Sequence, residues 1–219
     1  MTPPAAPAPP WRWTVVGIED LAARVSSALG PRRPAVVAVD GHSSSGKSSF
    51  APRLAAALPR AAVLRSDDLA WNHGVFTWDV SFRDHVLPVV RAGRPLSYRP
   101  PGWVTHEREG AVKLPGELEV LVLEGVGASQ PSLLDLVDLV LWVETDEPTR
   151  LARDVVRVHQ GGEMSLDDYA SWMAEENAYV TASRPWENAA FVLNGSGLPE
   201  HDARTEVVLA PEPSRSNRD

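Results

Sequence analysis

Gly41-His42-Ser43-Ser44-Ser45-Gly46-Lys47-Ser48 is the stretch of sequence that decides the fold, because it fits the pattern G-x-x-x-x-G-K-[ST]. Glycines at both ends allow a tight turn in which backbone N–H groups converge on phosphate oxygens. The Lys47 ammonium can then reach the β- and γ-phosphates, and the Ser48 hydroxyl can bind Mg²⁺. The candidate nucleotide-binding residues of this phosphate loop and the position after it are Gly41, Ser43, Ser44, Ser45, Gly46, Lys47, Ser48 and Ser49.

Both flanks of the loop supply the context that the pattern requires. Residues 35–40 before it form a short, apolar, β-branched run, which is typical of a buried parallel strand. After the loop, Phe50, Leu54 and Leu58 fall at helical spacing. The loop therefore opens a helix, and the N-terminus of a helix favours anions.

Strand-like and helical segments alternate along the rest of the chain. Five strands are predicted, at residues 35–40, 61–65, 118–125, 139–144 and 190–194. Helices are predicted at 18–29, about 82–92, 148–158 and 166–182. This alternation predicts an α/β, three-layer fold of the P-loop nucleoside triphosphate hydrolase type, with a mainly parallel five-stranded sheet.

Composition excludes several classes of partner and site. The 219 residues carry a net charge of −8 without any basic block, which argues against nucleic acid or an anionic membrane surface as main partner. The absence of cysteine excludes disulfides and thiolate metal sites. No apolar run has the length of a membrane span, and the N-terminus lacks the features of a signal peptide, so a cytoplasmic location is expected.

The chain is expected to hold one domain between two tails. Residues 1–12 form a Pro-rich arm expected to be disordered, residues 13–210 a single domain, and residues 211–219 a second disordered tail. Within the domain, residues 69–117 are rich in Trp, Pro and Gly, and an irregular stretch of that length is usually functional.

Two acids follow predicted strands and are candidates for chemistry. Ligands gather at the carboxyl ends of parallel strands, where Asp67 and Glu124 lie near the loop. Glu124, with Ser48, is a candidate ligand of Mg²⁺, and Asp67 or Asp68 could take or orient the proton of an acceptor hydroxyl. The alternative for Asp67 and Asp68 is a purely structural turn or helix cap.

Taken in order, these motifs resemble the uridine kinase family, which belongs with phosphoribulokinases and bacterial pantothenate kinases to one group of P-loop kinases. The resemblance spans about residues 34–195 and rests on 41–48, 66–69, 122–125 and 138–146 with the arginines that follow. It implies a kinase that uses ATP and Mg²⁺, with Asp67 as the acid that activates the acceptor. Asp67 is also predicted, with Ser48 and Glu124, as a metal ligand. The resemblance also implies a small helical lid at about 150–183, and it leaves a homo-oligomer open.

The remaining site residues are assigned by the resemblance alone. Lid arginines over the phosphates would be Arg150, Arg153 and Arg157, and acceptor-binding residues would be Asp79, Tyr98, His106 and Arg108. Residues 69–117 would then be the acceptor-binding insertion. The acceptor half departs from the family pattern, since Arg99 replaces an acid and Leu69-Ala70 replaces an aromatic pair.

The expected activity is ATP-dependent phosphorylation of a hydroxyl group on a small molecule, with uridine or cytidine as examples. Alternatives are a kinase for a pantothenate-like, ribosyl or antibiotic acceptor, and a non-catalytic nucleotide-binding regulator. The guanine-reading motif of GTPases is absent, although preference between ATP and GTP stays open. Among other residues, Glu175 and Glu176 are expected to form a solvated helix face.

Overall fold

The computed structural model of the chain describes residues 12–72, 74–161 and 166–210, without the side chains of 157–161 and 166–168. The predicted arm, apart from Arg12, and the predicted tail lie outside these residues. The strands are β1 (Thr14–Gly17), β2 (Ala35–Gly41), β3 (Ala61–Arg65), β4 (Leu96–Tyr98), β5 (Val112–Leu114), β6 (Val120–Glu124), β7 (Leu139–Glu144), β8 (Phe191–Asn194) and β9 (Glu206–Leu209). Seven of them form one sheet in the order β1-β9-β8-β7-β2-β6-β3, and β4 pairs separately with β5.

All five predicted strands are present and run parallel, as β3, β6, β2, β7 and β8. The predicted five-stranded sheet was short by two strands, because β9 pairs antiparallel with both β8 and β1 and extends the sheet. The separate pair of β4 and β5 was not predicted either. Strands β1 and β9 are four residues long. Runs of that length are too short to show a clear hydrophobic period.

The helices cover both faces of the sheet. They are α1 (Ile18–Ala28), α2 (Lys47–Ala57), α3 (Ser66–Ala70), α4 (Asp79–Ser81), α5 (Leu87–Arg91), α6 (Pro101–Thr105), α7 (Glu147–Gly161) and α8 (Leu166–Ser183). Every residue of β2 is buried. Val37 and Val39 pack with α1 and α2, whereas Val36 and Ala38 pack on the opposite face with the helical segment from α4 to α5. This alternation confirms the three-layer fold.

The predicted helix at 82–92 is confirmed, and its irregular part has a local cause. Helix α4 continues through a π-helical stretch, Phe82–Val86, into α5. The Leu87 N–H bonds to the Phe82 carbonyl five residues back, immediately before Pro88. Proline has no N–H and its ring crowds the preceding turn, so a wider turn at this point accommodates it.

Helices α7 and α8 follow β7, close to the predicted bounds of 148–158 and 166–182. Within the residues that the structure describes, none of the helices is long and apolar enough to cross a membrane.

Candidate active site

The phosphate loop runs from the end of β2 at Gly41 to the start of α2 at Lys47. A Cβ atom at Gly41 would lie 2.6 Å from the Val143 carbonyl oxygen, which leaves no room for a side chain. Gly46 has a φ angle of 101°, a left-handed conformation that side chains disfavour. Both glycines of the motif are therefore required by the local geometry.

Lys47 folds back over the first half of the loop. Its Nζ donates to the carbonyl oxygens of Gly41 at 2.9 Å and His42 at 2.6 Å. The residue is buried, with 5% of its surface exposed. These contacts hold the ammonium group against the loop, the location from which a P-loop lysine reaches the terminal phosphates.

Ser48 and Glu124 meet beside Lys47. The Ser48 hydroxyl donates to Oε1 of Glu124 at 3.0 Å. Burial raises the pKa of Glu124, while the Lys47 charge and the Ser48 hydrogen bond act in the opposite direction. A hydroxyl oxygen and a buried carboxylate oxygen are hard ligands of the kind that Mg²⁺ takes. The pair therefore fits a magnesium ion.

Asp67 lies next to this pair, in the first turn of α3 directly after β3. Helix α3 and the end of β6 approach so closely that a Cβ at Gly125 would lie 1.8 Å from Ser66 Oγ. The approach brings Asp67 near enough for its negative charge to contribute to the raised pKa of Glu124. The Asp67 side chain is exposed, whereas Asp68 lies 3.8 Å from Arg108.

Asp40, immediately before the loop, accepts five hydrogen bonds and was not among the predicted site residues. Its Oδ1 accepts the N–H groups of Gly41 at 2.7 Å and Gly127 at 3.1 Å. Its Oδ2 accepts the Ser129 N–H at 2.9 Å, the Ser129 hydroxyl at 2.7 Å and the Tyr179 hydroxyl at 2.7 Å. Burial, with the Asp40 charge, raises the pKa of Tyr179. A buried carboxylate after an apolar strand needs hydrogen-bond donors, so the position of Asp40 after the apolar residues 35–39 could have indicated these contacts.

Glu176 on α8 is fully buried, so the predicted solvated face is wrong at this position, although Glu175 is exposed. Oε1 of Glu176 lies 2.7 Å from His42 Nδ1, and both of its oxygens accept the Ser43 N–H, at 3.2 and 3.1 Å. Arg150 Nη1 lies 4.0 Å from the same carboxylate. The residue pair Glu175-Glu176 carries no sequence signal for these contacts, because they form only when α8 packs on the loop.

The three arginines assigned to the lid differ in their surroundings. Arg153 donates to the carbonyl oxygens of Ser44 at 3.1 Å and Gly195 at 2.8 Å. Arg150 is buried and donates to the Thr145 carbonyl at 3.3 Å. The side chain of Arg157 lies outside the described residues.

A cavity of about 590 Å³ opens beside the loop, towards β8. Its lining includes six of the predicted loop residues and Arg153, together with Arg53, Asn194 and His201. A volume of this size is in the range of small-molecule sites. The lining residues predicted from the loop are Ser44, Ser45, Gly46, Lys47, Ser48 and Ser49. Ser43 is not among them and contacts Glu176 instead.

Two of the acceptor residues assigned by resemblance lie near α4. Asp79 Oδ2 accepts the Ser132 hydroxyl at 2.6 Å and lies 3.5 Å from Arg83 Nη2. The Tyr98 hydroxyl donates to Ser81 Oγ at 3.1 Å. Asp79 thus contacts Arg83 within residues 69–117 and Ser132 outside them, whereas Tyr98 contacts Ser81 within them.

The other two acceptor residues lie beside a pair of tryptophans. The Arg108 guanidinium lies 3.8 Å from the centre of the Trp103 ring and 4.9 Å from that of Trp71. The His106 ring meets Trp71 edge-on, with 5.9 Å between centroids. Trp103 in turn donates from Nε1 to the Asp68 carbonyl at 2.8 Å, which connects this cluster to α3 and Asp67.

Known proteins resemble this chain in sequence and in fold, although no protein-family model matches it. The uridine kinase of Streptococcus pyogenes serotype M5 (strain Manfredo) is 25% identical over 161 residues, which cover 64% of this chain and 77% of that protein. The uridine kinase of Streptococcus uberis (strain ATCC BAA-854 / 0140J) is 26% identical over 153 residues, covering 62% and 73%.

Among solved structures, that of a possible uridine kinase from Bacillus stearothermophilus covers 80% of this chain and 96% of its own, with a TM-score of 0.52 and 20% identity. That likeness concerns the fold. Together with the relatives in sequence, it confirms the predicted resemblance and supports the coarse assignment to small-molecule kinases. By sequence the chain is similar to uridine kinases at about 25% identity, and it shares with the Bacillus stearothermophilus structure the α/β fold of P-loop kinases.

Proposed function

We propose that the chain transfers the γ-phosphoryl group of ATP to a hydroxyl group of a small molecule, with uridine and cytidine as the first acceptors to test. The observation that carries this proposal is the meeting of Lys47, Glu124 and Asp67 at the carboxyl ends of three adjacent strands, β2, β6 and β3. Relatives named uridine kinase support the same class of reaction.

Residues at the donor end hold the triphosphate and offset its charge. The loop N–H groups and Lys47 would bind the phosphates, and Arg153, which lines the cavity, would add a second positive charge. Ser48 and Glu124, with Asp67 beside them, would hold Mg²⁺, which neutralises phosphate charge when bound. ATP would place its base in the cavity towards Arg53 and His201.

At the acceptor end, the exposed Asp67 carboxylate is the base. The acceptor hydroxyl oxygen attacks the γ-phosphorus in line, and the bond from that phosphorus to the β–γ bridging oxygen breaks to release ADP. Asp67 orients the hydroxyl and takes its proton. Asp67 suits this role because its side chain is open to solvent while its backbone is fixed by the contact between Ser66 and Gly125.

Two segments of the single domain, residues 13–210, would complete the site. Residues 69–117 are proposed as the acceptor-binding insertion, because they carry the tryptophan cluster next to α3. Residues 150–183 are proposed as the lid, because α7 and α8 contact the loop through Arg153 and Glu176.

A second candidate function is phosphorylation of a different small acceptor, such as a pantothenate-like, ribosyl or antibiotic molecule. The contacts made by the acceptor residues of the insertion support this second candidate. Asp79 is bonded to Ser132 and Arg83, and the Arg108 guanidinium lies against the rings of Trp103 and Trp71. Acceptor contacts in this chain would then differ from those of a uridine kinase.

The test is ADP formation from Mg·ATP, and GDP formation from Mg·GTP, across uridine, cytidine, pantothenate, ribose and aminoglycosides. Asp67→Asn protein is the matched control for acceptor-dependent turnover. Turnover with uridine or cytidine supports the nucleoside proposal, and turnover with another acceptor alone supports the second candidate. Tight ATP binding with no acceptor-dependent turnover across the panel would favour a non-catalytic regulator.

A further inference from the structure

The peptide unit that joins His42 to Ser43 lies between two charged side chains. Its carbonyl oxygen accepts a hydrogen bond from Lys47 Nζ at 2.6 Å. Its N–H donates to both carboxylate oxygens of Glu176, at 3.2 and 3.1 Å. One peptide group therefore connects the lysine of the phosphate loop to an acid on α8, 129 residues further along the sequence.

Burial gives these hydrogen bonds energetic weight. Lys47 is 5% exposed, Ser43 is 3% exposed and Glu176 is 0% exposed. Hydrogen bonds are stronger in a low-dielectric interior than in water, and bonds on the two sides of one peptide group polarise one another. An N–H left unpaired at this depth would be costly, so the carboxylate restrains the orientation of the peptide and of its carbonyl group.

Glu176 is itself held in place from several sides. His42 Nδ1 lies 2.7 Å from Oε1, and Arg150 approaches to 4.0 Å. Arg150 is anchored in turn on the Thr145 carbonyl. Three residues further along α8, Tyr179 donates to Asp40 at 2.7 Å, which attaches the same helix beneath the loop.

We propose that Glu176 is a positioning residue for Lys47, acting through the His42–Ser43 peptide unit. The proposal rests on the proposed function to the extent that Lys47 binds the phosphates of the donor nucleotide. What Glu176 supplies is an acceptor at a fixed distance from the Ser43 N–H. The negative charge of Glu176 does not contribute to positioning Lys47, because a carboxylate near the loop repels the triphosphate.

Two conservative variants separate the length of the Glu176 side chain from its charge. Glu176→Gln keeps the length of the side chain and an acceptor oxygen but removes the charge. Glu176→Asp keeps the charge but shortens the side chain by one methylene, which withdraws the acceptor from Ser43. Glu175→Asp is the matched control, since it makes the same chemical change at the adjacent, exposed position of α8.

The measurement is the affinity of the full chain for Mg·ATP by titration calorimetry, with thermal unfolding as the check that each variant is folded. We expect Glu176→Asp to weaken binding about ten- to a hundredfold, Glu176→Gln less than about threefold, and Glu175→Asp not at all. Weaker binding of Mg·ATP by Glu176→Gln than by Glu176→Asp would overturn the proposal. The charge of Glu176, and not the length of its side chain, would then govern nucleotide binding.

A double-mutant cycle with Lys47→Ala separates positioning from a general effect on the fold. If Glu176 acts through Lys47, Glu176→Asp should change ATP affinity less than about twofold in the Lys47→Ala background. An equal loss in both backgrounds would show that Glu176 only stabilises the loop. If Glu176→Asp does not fold, the near-isosteric Glu176→Gln is used in the same cycle. Its smaller loss of ATP affinity is expected in the presence of Lys47 and not in the Lys47→Ala background.

The cycle measures nucleotide binding and needs no acceptor. Its failure is therefore distinguishable from failure of the proposed phosphotransfer, which would appear as absence of turnover with intact ATP binding.

Discussion

The Ser48 hydroxyl donates a 3.0 Å hydrogen bond to Oε1 of Glu124, although the two residues lie 76 positions apart in the chain. The contact exists because β2 and β6 are adjacent parallel strands, paired in register from Ala35 with Val120 to Val39 with Glu124. The loop that follows β2 thus starts beside the last residue of β6. The proximity of this hydroxyl and this carboxylate, which we propose as metal ligands, is a product of strand order.

The first prediction concerns this pair. Glu124→Gln should raise the Mg²⁺ concentration needed for half-maximal activity by about an order of magnitude or more, because it removes the charged ligand and keeps the shape. Magnesium titrations of kinase activity measure the effect. Glu119→Gln, at a surface residue paired with Arg60 at 2.8 Å, is the control and should leave the titration unchanged. An unchanged titration in Glu124→Gln protein would remove Glu124 from the metal site.

A second prediction separates Asp67, the proposed base, from Lys47, the proposed phosphate-binding residue. Asp67→Asn should lower kcat by about two to four orders of magnitude while ATP affinity stays near that of the wild type, because a general base acts on the acceptor. Lys47→Ala should lower both kcat and ATP affinity. Steady-state kinetics and calorimetry on the same preparations test both variants. Near-normal turnover of folded Asp67→Asn protein would exclude Asp67 from proton transfer.

The third prediction tests the close contact that places α3. Gly125→Ala should destabilise the protein by about 1–3 kcal/mol and lower activity, because the added Cβ would overlap Ser66 Oγ and because Gly125 has a φ of 147°, which side chains disfavour. Ser66→Gly in the same protein should restore part of the stability. Gly30→Ala is the control, since nothing lies within 4 Å of a Cβ there. Chemical denaturation measures the differences, and equal losses with and without Ser66→Gly would contradict this account.

A fourth prediction concerns pH and the start of α7. Oδ1 of Asp146 accepts the Thr149 N–H at 2.9 Å, and Oδ2 accepts the Thr149 hydroxyl at 2.9 Å. Hydrogen bonds from Ser196 first, and then from Thr149, lower the pKa of Asp146 from its ordinary 3.8. Asp146→Ala should therefore cost about 0.5–2 kcal/mol of stability near neutral pH, as loss of a helix cap does.

The sign of the pH effect follows from the lowered pKa. The unfolded chain binds a proton at Asp146 more readily than the folded chain, so the contribution of the carboxylate is complete above pH 3.8 and is lost as pH falls further. Thermal unfolding from pH 7 to pH 3 should show the wild type and Asp146→Ala converging at the acid end. Asp135→Ala, at an exposed position, should show no such convergence. A constant difference across the range would contradict the capping role.

Local chemistry made much of the fold predictable. The phosphate loop depends on glycines at fixed spacing, and the parallel strands are continuous apolar runs because both faces of each are buried. These are properties of a few consecutive residues, so the sequence displays them directly. The four strands that were not predicted are three or four residues long, and each depends on pairing with another short strand, β1 with β9 and β4 with β5.

The candidate site was predictable only at positions where a local motif or a strand end restricts the residue type. Lys47, Ser48 and the strand-end acids Asp67 and Glu124 follow from the motif and from the polarity of strand ends. The roles of Asp40 and Glu176 do not, because each depends on partners far away in the chain, such as Tyr179 for Asp40 and Ser43 for Glu176.

The sequence by itself thus determined that this chain builds a phosphate loop on a parallel sheet with acids at its carboxyl edge. Tertiary structure alone decided that α8 packs on that loop with a buried carboxylate. In an isolated helix the Glu176 side chain would be as well solvated as Glu175, and its burial becomes favourable only where Ser43, His42 and Arg150 replace the lost water. That is why two adjacent glutamates, identical in sequence terms, have opposite environments in the folded protein.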